Sequence, residues 1–105
     1  MSVRVRARTP TDAPEADWSR TVEDYATLRG WWSHHQPDSR RSRAGLPDWL
    51  LCRPPRVVFA ELKVPGGRVR PAQEEVLAML ERCPGVECYC WVLPDAWPVV
   101  REVLR

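Results

Sequence analysis

Lysine is almost absent from this chain. Of the 16 residues that are Lys or Arg, one is lysine: Lys63, which ends the run Val57-Val58-Phe59-Ala60-Glu61-Leu62-Lys63. Lysine is a compact, strongly hydrated point charge and arginine a planar fork. A chain so biased toward arginine that keeps its one lysine two residues after a glutamate marks that place as one needing a point charge. Metal-type cysteine spacing is also missing. Cys52, Cys83, Cys88 and Cys90 form no C-x-x-C pair, and His34 and His35 adjoin each other without a second ligand cluster. That argues against a structural zinc, and neither histidine is expected to be a ligand. No run approaches the ~20 apolar residues of a membrane span, so no membrane partner is expected. The segment Met1 to Arg8 alternates Val and Ala with Arg4, Arg6 and Arg8 and has no continuous apolar stretch, so it does not read as a secretory signal. A cytoplasmic location with free thiols is the corresponding expectation. No internal repeat or low-complexity segment occurs.

What is present fits one globular domain. The chain has 105 residues, 44% of them hydrophobic and 29% charged, within the range of folded soluble domains. Residues 1–13 read as a basic arm and 14–105 as the domain. The net charge of +2 hides an uneven distribution. Arg4, Arg6 and Arg8 form one basic cluster, Arg40, Arg41 and Arg43 a second, and Arg68 and Arg70 a third. Acidic residues gather at Asp12, Glu15, Asp17, Glu23 and Asp24. Separated basic clusters suit a polyanion such as DNA, although charge runs are also ordinary solvated surface.

The apolar periodicity predicts seven elements. Trp18, Val22, Tyr25, Ala26 and Arg29 recur at helical steps, giving a helix from about 14 to 29 with Asp12 as N-cap and Gly30 as its stop. Residues 31–35 form a strand candidate, 36–44 a polar and basic loop, and 48–53 a second strand. Pro54-Pro55 makes a turn, and 57–63 is a third strand whose apolar start suggests burial on both faces. Pro71 opens a helix to about 82, with Val76, Leu77 and Leu80 inward. Val86 to Val92 alternates as a strand, and a last helix runs from about 95 to 104. The order α-β-β-β-α-β-α describes an α/β fold around a small mixed sheet flanked by helices.

Chemistry concentrates at the end of the third strand. Residues two apart on a strand share a face, so Glu61 and Lys63 project together while Leu62 turns into the core. A hairpin register with Arg53 facing Arg56 puts Asp48 opposite or diagonal to Glu61. Two carboxylates so close repel unless a cation joins them, and hard oxygen ligands favour Mg²⁺, with Mn²⁺ as a substitute. The plain structural alternative is a Glu61–Lys63 ion pair of little consequence.

Gly45-Leu46-Pro47-Asp48, then a hydrophobic strand, then Phe59-Ala60-Glu61-Leu62-Lys63, Gly67-Arg68 and Gln73 in a helix resemble the PD-(D/E)XK nucleases. Within them the order is most similar to the VRR-NUC group in its small stand-alone phage and bacterial form. The resemblance also takes in Glu15-Ala16, Gly30-Trp31, Ser39-Arg40-Arg41-Ser42, and Tyr89 with Trp91. It implies a restriction-endonuclease-like core with Asp48 and Glu61 as metal ligands and Glu15 as the helical acid that joins them. Lys63 would activate water and stabilise developing charge, and Gln73 would border the site. Where the family often carries glutamine four positions after the helical Glu, this chain has Ser19. Helical geometry favours Glu15 over Glu23 as the inward acid, but a capping box with Asp12 would also account for Glu15, and Gln73 could be an ordinary first-turn residue.

The implied activity is Mg²⁺-dependent endonucleolytic hydrolysis of DNA phosphodiesters, with Lys63 adding charge in the transition state. Family resemblance implies branched DNA, such as Holliday junctions or flaps, in replication, recombination or repair, cut by a homodimer. Ser39, Arg40, Arg41, Ser42, Arg43, Arg68 and Arg70 are the candidate DNA contacts. No base-reading motif is present. Three other readings compete: a non-catalytic DNA-binding module, a protein-interaction domain built on exposed tryptophans, and a restriction-type enzyme, for which there is no room for a specificity domain.

Overall fold

The computed structural model describes residues 14–36 and 43–105. Its elements run α1 (Glu15–Leu28), β1 (Trp32–His35), β2 (Trp49–Arg53), β3 (Arg56–Lys63), α2 (Pro71–Glu81), β4 (Val86–Val92) and α3 (Trp97–Leu104). The four strands form one sheet in the order β1-β2-β3-β4. The first three are antiparallel, and β3 and β4 are parallel. Parallel neighbours need a crossover connection, which α2 supplies. This is the mixed α/β architecture expected from the sequence order.

The register follows from the tight turn. Arg53 pairs with Arg56 across Pro54-Pro55, and the ladder continues to Trp49 opposite Ala60. Alternation then divides the sheet. Trp49, Leu51, Val58, Ala60, Leu62 and Trp91 are buried on the side carrying α1 and α3, where they meet Trp18, Val22, Ala26, Val100 and Leu104. On the other side Val57 and Phe59 are half-buried, and no residue of α2 is buried. The expected burial of β3 on both faces is therefore complete on one face only. The inward stripe Val76, Leu77 and Leu80 of α2 is likewise only partly covered.

Tryptophan supplies the largest side chains of the core. Trp18, Trp49 and Trp91 are almost wholly buried, and among the described residues no partner meets their indole N–H groups. An unmet buried donor costs about 1–3 kcal/mol, set against the large apolar area each ring removes from water. Trp31 is buried too but donates from Nε1 to the Leu104 carbonyl at 2.8 Å. Trp32 is the large aromatic left open, at 61% exposure. An interface built on several exposed tryptophans is therefore not what the fold presents.

Some boundaries differ from the sequence reading. The N-cap of α1 is Pro14, with no side-chain cap, so Glu15 is the first helical residue and not the third position that a capping box requires. Asp12 lies outside the described residues. Trp31 belongs to the core before β1 and not to the strand, and α3 begins at Trp97 after a turn. Among the described residues no helix is long and apolar enough to cross a membrane.

Candidate active site

The strand ends of β2 and β3 bring the predicted acids together. Asp48 immediately precedes β2 and extends its register toward Glu61. Two reciprocal contacts lock the pair: the Asp48 backbone N–H donates to Glu61 Oε1 at 3.3 Å, and the Leu62 N–H donates to Asp48 Oδ1 at 3.1 Å. Each carboxylate is thus positioned by the other residue's strand. Lys63 Nζ lies 3.0 Å from Glu61 Oε2, as expected for same-face neighbours.

Gln73, in the first turn of α2, holds the same oxygen. Its Nε2 donates to Glu61 Oε2 at 2.8 Å, and its Oε1 accepts from the Arg70 N–H at 2.8 Å. The amide therefore has both a local and a long-range partner, so it does more than an ordinary first-turn side chain. The first turn of α2 is brought close by Gly45. A Cβ there would run into the Ala72 carbonyl oxygen, and its φ is +89°. Only glycine accepts both conditions without strain, and three residues later the chain delivers Asp48.

Glu61 is 2% exposed. Burial pushes its carboxyl above the ordinary value, and the negative charge of Asp48 pushes it further. Lys63 and the Asp48 N–H pull it back without overcoming the rise. The net effect is an anion held where its charge is under-compensated, a situation that clusters at functional sites.

A cavity of about 350 Å³ opens beside Asp48, lined by Glu15, Ala16, Ser19, Arg20, Glu23 and His35 as well. Glu15 and Glu23 are both exposed on its wall, so the preference for Glu15 that helical angle gave is not decided by the fold. Ser19 is buried between them along the helix. His35, given no ligand role from sequence, lies next to Asp48: its Nε2 is 3.7 Å from Oδ2. Strand alternation does not supply this closeness, since His35 pairs with Trp49 and Trp49 with Ala60, on the face away from Glu61.

Arg43, Arg68 and Arg70 are exposed, with Arg68 and Arg70 between Lys63 and α2. Ser39, Arg40, Arg41 and Ser42 lie outside the described residues. Tyr89 and Trp91 stack at 5.6 Å on β4. Tyr89 also donates to Glu87 at 2.8 Å, and burial together with that bond pushes its hydroxyl up to about 12. It belongs to a structural network with Arg56, not to the acidic site.

Among the described residues no three of His, Cys, Asp and Glu are grouped so that they could hold a metal ion, so Glu15 is not gathered with Asp48 and Glu61 in this structure. Two carboxylates on hard oxygen donors nevertheless fit Mg²⁺, which keeps several waters and is bound through one or two carboxylates. The surplus negative charge at Glu61 is what such an ion would neutralise.

No curated protein and no solved structure matches the chain. A family model described as the VRR-NUC domain matches residues 4–93, a span that contains Asp48, Glu61, Lys63 and Gln73 and stops short of α3. The chain therefore belongs to the VRR-NUC family, and its function is of the nuclease type.

Proposed function

We propose that this chain is a Mg²⁺-dependent endonuclease that hydrolyses DNA phosphodiesters at branch points such as flaps or four-way junctions. It would work as a homodimer in replication, recombination or repair. The observation that carries the reading is the convergence on Glu61: Asp48, Lys63 and Gln73 all contact a carboxylate that the fold has removed from water.

Asp48 and Glu61 would hold the ion, with Glu15 reaching it from α1 across the shared cavity. A divalent cation bound there supplies Lewis-acid charge and a water of lowered pKa. The residues of the chain do the rest. Gln73 keeps Glu61 Oε2 fixed from the side of α2, leaving little reorganisation for the reaction. Lys63 places a compact positive charge beside the same oxygen, where it can orient a water and meet charge developing on the phosphate. The exposed Arg43, Arg68 and Arg70, with the Ser39 to Ser42 segment, would hold flanking phosphates without reading bases. Branch preference and the dimer rest on family membership and on the absence of a base-reading element.

The test is incubation of labelled linear, flap and four-way DNA with Mg²⁺ or Mn²⁺, alongside Lys63→Ala and Asp48→Ala. Cleavage of branched substrates by the unaltered chain alone is the expected result. Lys63→Arg should not restore activity, because a planar fork does not replace a point charge in this space. Cleavage retained by Asp48→Ala would remove that residue from the ligand set.

A further inference from the structure

The two oxygens of Asp48 are treated differently. Oδ1 accepts the Leu62 N–H, while Oδ2 faces the imidazole of His35 at 3.7 Å. That separation is too long for a hydrogen bond and short enough that a small rotation of the carboxylate closes it. The imidazole is itself fixed. Its ring stacks on Trp49 with centroids 4.5 Å apart and planes 12° from parallel, and Trp49 is 1% exposed. His35 and Trp49 are direct cross-strand partners. The next residue ties the strands again, with the Gln36 N–H donating to the Asp48 carbonyl at 2.8 Å. His34 is exposed and, by strand alternation, belongs to the opposite face.

A rigid ring held by a buried indole, with a nitrogen aimed at the outer oxygen of a candidate ligand, is what an orienting group requires. Carboxylates that bind metals are themselves held by neighbours, and losing such a neighbour typically weakens metal affinity or activity by about 10–100-fold. We propose that His35 is a positioning residue for Asp48: its Nε2 sets the rotation of the carboxylate so that Asp48 and Glu61 face the cation together. This rests on the metal-dependent reading given above and goes beyond it by adding a group from β1, an edge strand, to the site.

Two substitutions in the full-length chain separate orientation from folding. His35→Phe keeps the ring that stacks on Trp49 and removes the nitrogen. His35→Gln keeps a side-chain N–H of similar reach and gives up the stacking. Thermal melting reports folding, Mn²⁺ titrated calorimetrically into DNA-free protein reports the ion, and cleavage of branched DNA is followed against Mg²⁺ concentration. The expected result for His35→Phe is unaltered melting, Mn²⁺ affinity lowered about tenfold, and half-maximal cleavage shifted to correspondingly higher Mg²⁺. His35→Gln should recover part of both losses.

Mn²⁺ affinity of His35→Phe within about twofold of the unaltered chain would overturn the proposal, whether or not cleavage is lost. Lost cleavage at full affinity would assign the imidazole to the DNA instead. Should His35→Phe fail to fold, the Mn²⁺ affinity of His35→Gln decides between the same outcomes. An unaltered chain that neither binds Mn²⁺ nor cleaves would instead sink the metal-dependent reading itself, a result distinct from any effect at His35.

Discussion

At the scale of single residues, the site is built around an anion kept where an anion is disfavoured. Glu61 ionises near its ordinary value of 4.5 in an unfolded chain and higher in the fold, through burial first and the charge of Asp48 second. Between those two values the folded state binds more protons than the unfolded one. Stability therefore falls as pH rises through the window, and it does not recover above it. Metal-free protein should show this loss on moving upward from about pH 4.5, and the slope should flatten in Glu61→Gln. Asp48→Asn should act in the same direction by removing the neighbouring charge, while its side-chain oxygen still accepts the Leu62 N–H. The expected gain in metal-free stability is about 1 kcal/mol, or roughly 4–8 °C in melting temperature for a domain of this size, together with loss of cleavage. Melting curves with and without Mg²⁺ check both parts. Destabilisation by Asp48→Asn would mean that the two carboxylates do not oppose each other as their placement implies.

At the scale of elements, one close approach at a glycine and one turn decide the site. Gly45 lets the segment before β2 press against the first turn of α2, which brings Gln73 to Glu61. In Gly45→Ala the added methyl would meet the Ala72 carbonyl, and the φ of +89° would be strained besides. The expected cost is about 1–3 kcal/mol, measured by chemical denaturation. Cleavage should fall further than that loss alone explains, because α2 is displaced from the carboxylates. A stability loss with full activity per folded molecule would separate α2 from the chemistry. Much of this arrangement was legible in the sequence. The Pro54-Pro55 turn fixes the register that pairs Asp48 with Glu61, and alternation puts Lys63 on the same side. Three things were not legible. The cap of α1 was hidden, although its start near residue 14 was not, because Asp12 looks like a better cap than the Pro14 that holds the position. The closeness of His35 depends on which of two adjacent histidines faces Trp49, and a one-residue change in strand phase exchanges them. The choice between Glu15 and Glu23 fails for another reason: both reach one wide cavity, which a helical wheel alone does not reveal.

At the scale of the whole molecule, stability and chemistry sit at opposite ends of the sheet. β2 and β3 carry the carboxylates at one end and the Arg53 and Arg56 pair at the other, about 17 Å away at the rise of an extended strand. Arg53 gathers the far end. Its Nη1 donates to the Arg29 carbonyl at 2.8 Å, at the end of α1, and its Nη2 to the Arg105 carbonyl at 3.0 Å, just after α3. The guanidinium also lies 4.7 Å over the Trp31 ring, and Arg56, paired to Glu87 through contacts of 2.6 and 2.7 Å, lies 4.9 Å from the same ring. Helix C-termini end in unsatisfied carbonyls, so one planar fork completes two helices and ties both to the hairpin turn. Arg53→Ala leaves those carbonyls to solvent and removes the cation from the indole. Charged hydrogen bonds of this kind, partly open to water, are together worth about 1–2 kcal/mol. The melting temperature should fall accordingly, while cleavage and Mn²⁺ affinity, measured well below the melting range, stay at the level of the unaltered chain. The sheet between the two ends is packed with buried tryptophan and aliphatic side chains. A change at Arg53 should therefore reach the carboxylates only by unfolding the domain, and reduced Mn²⁺ affinity in folded Arg53→Ala would show that the two ends are coupled.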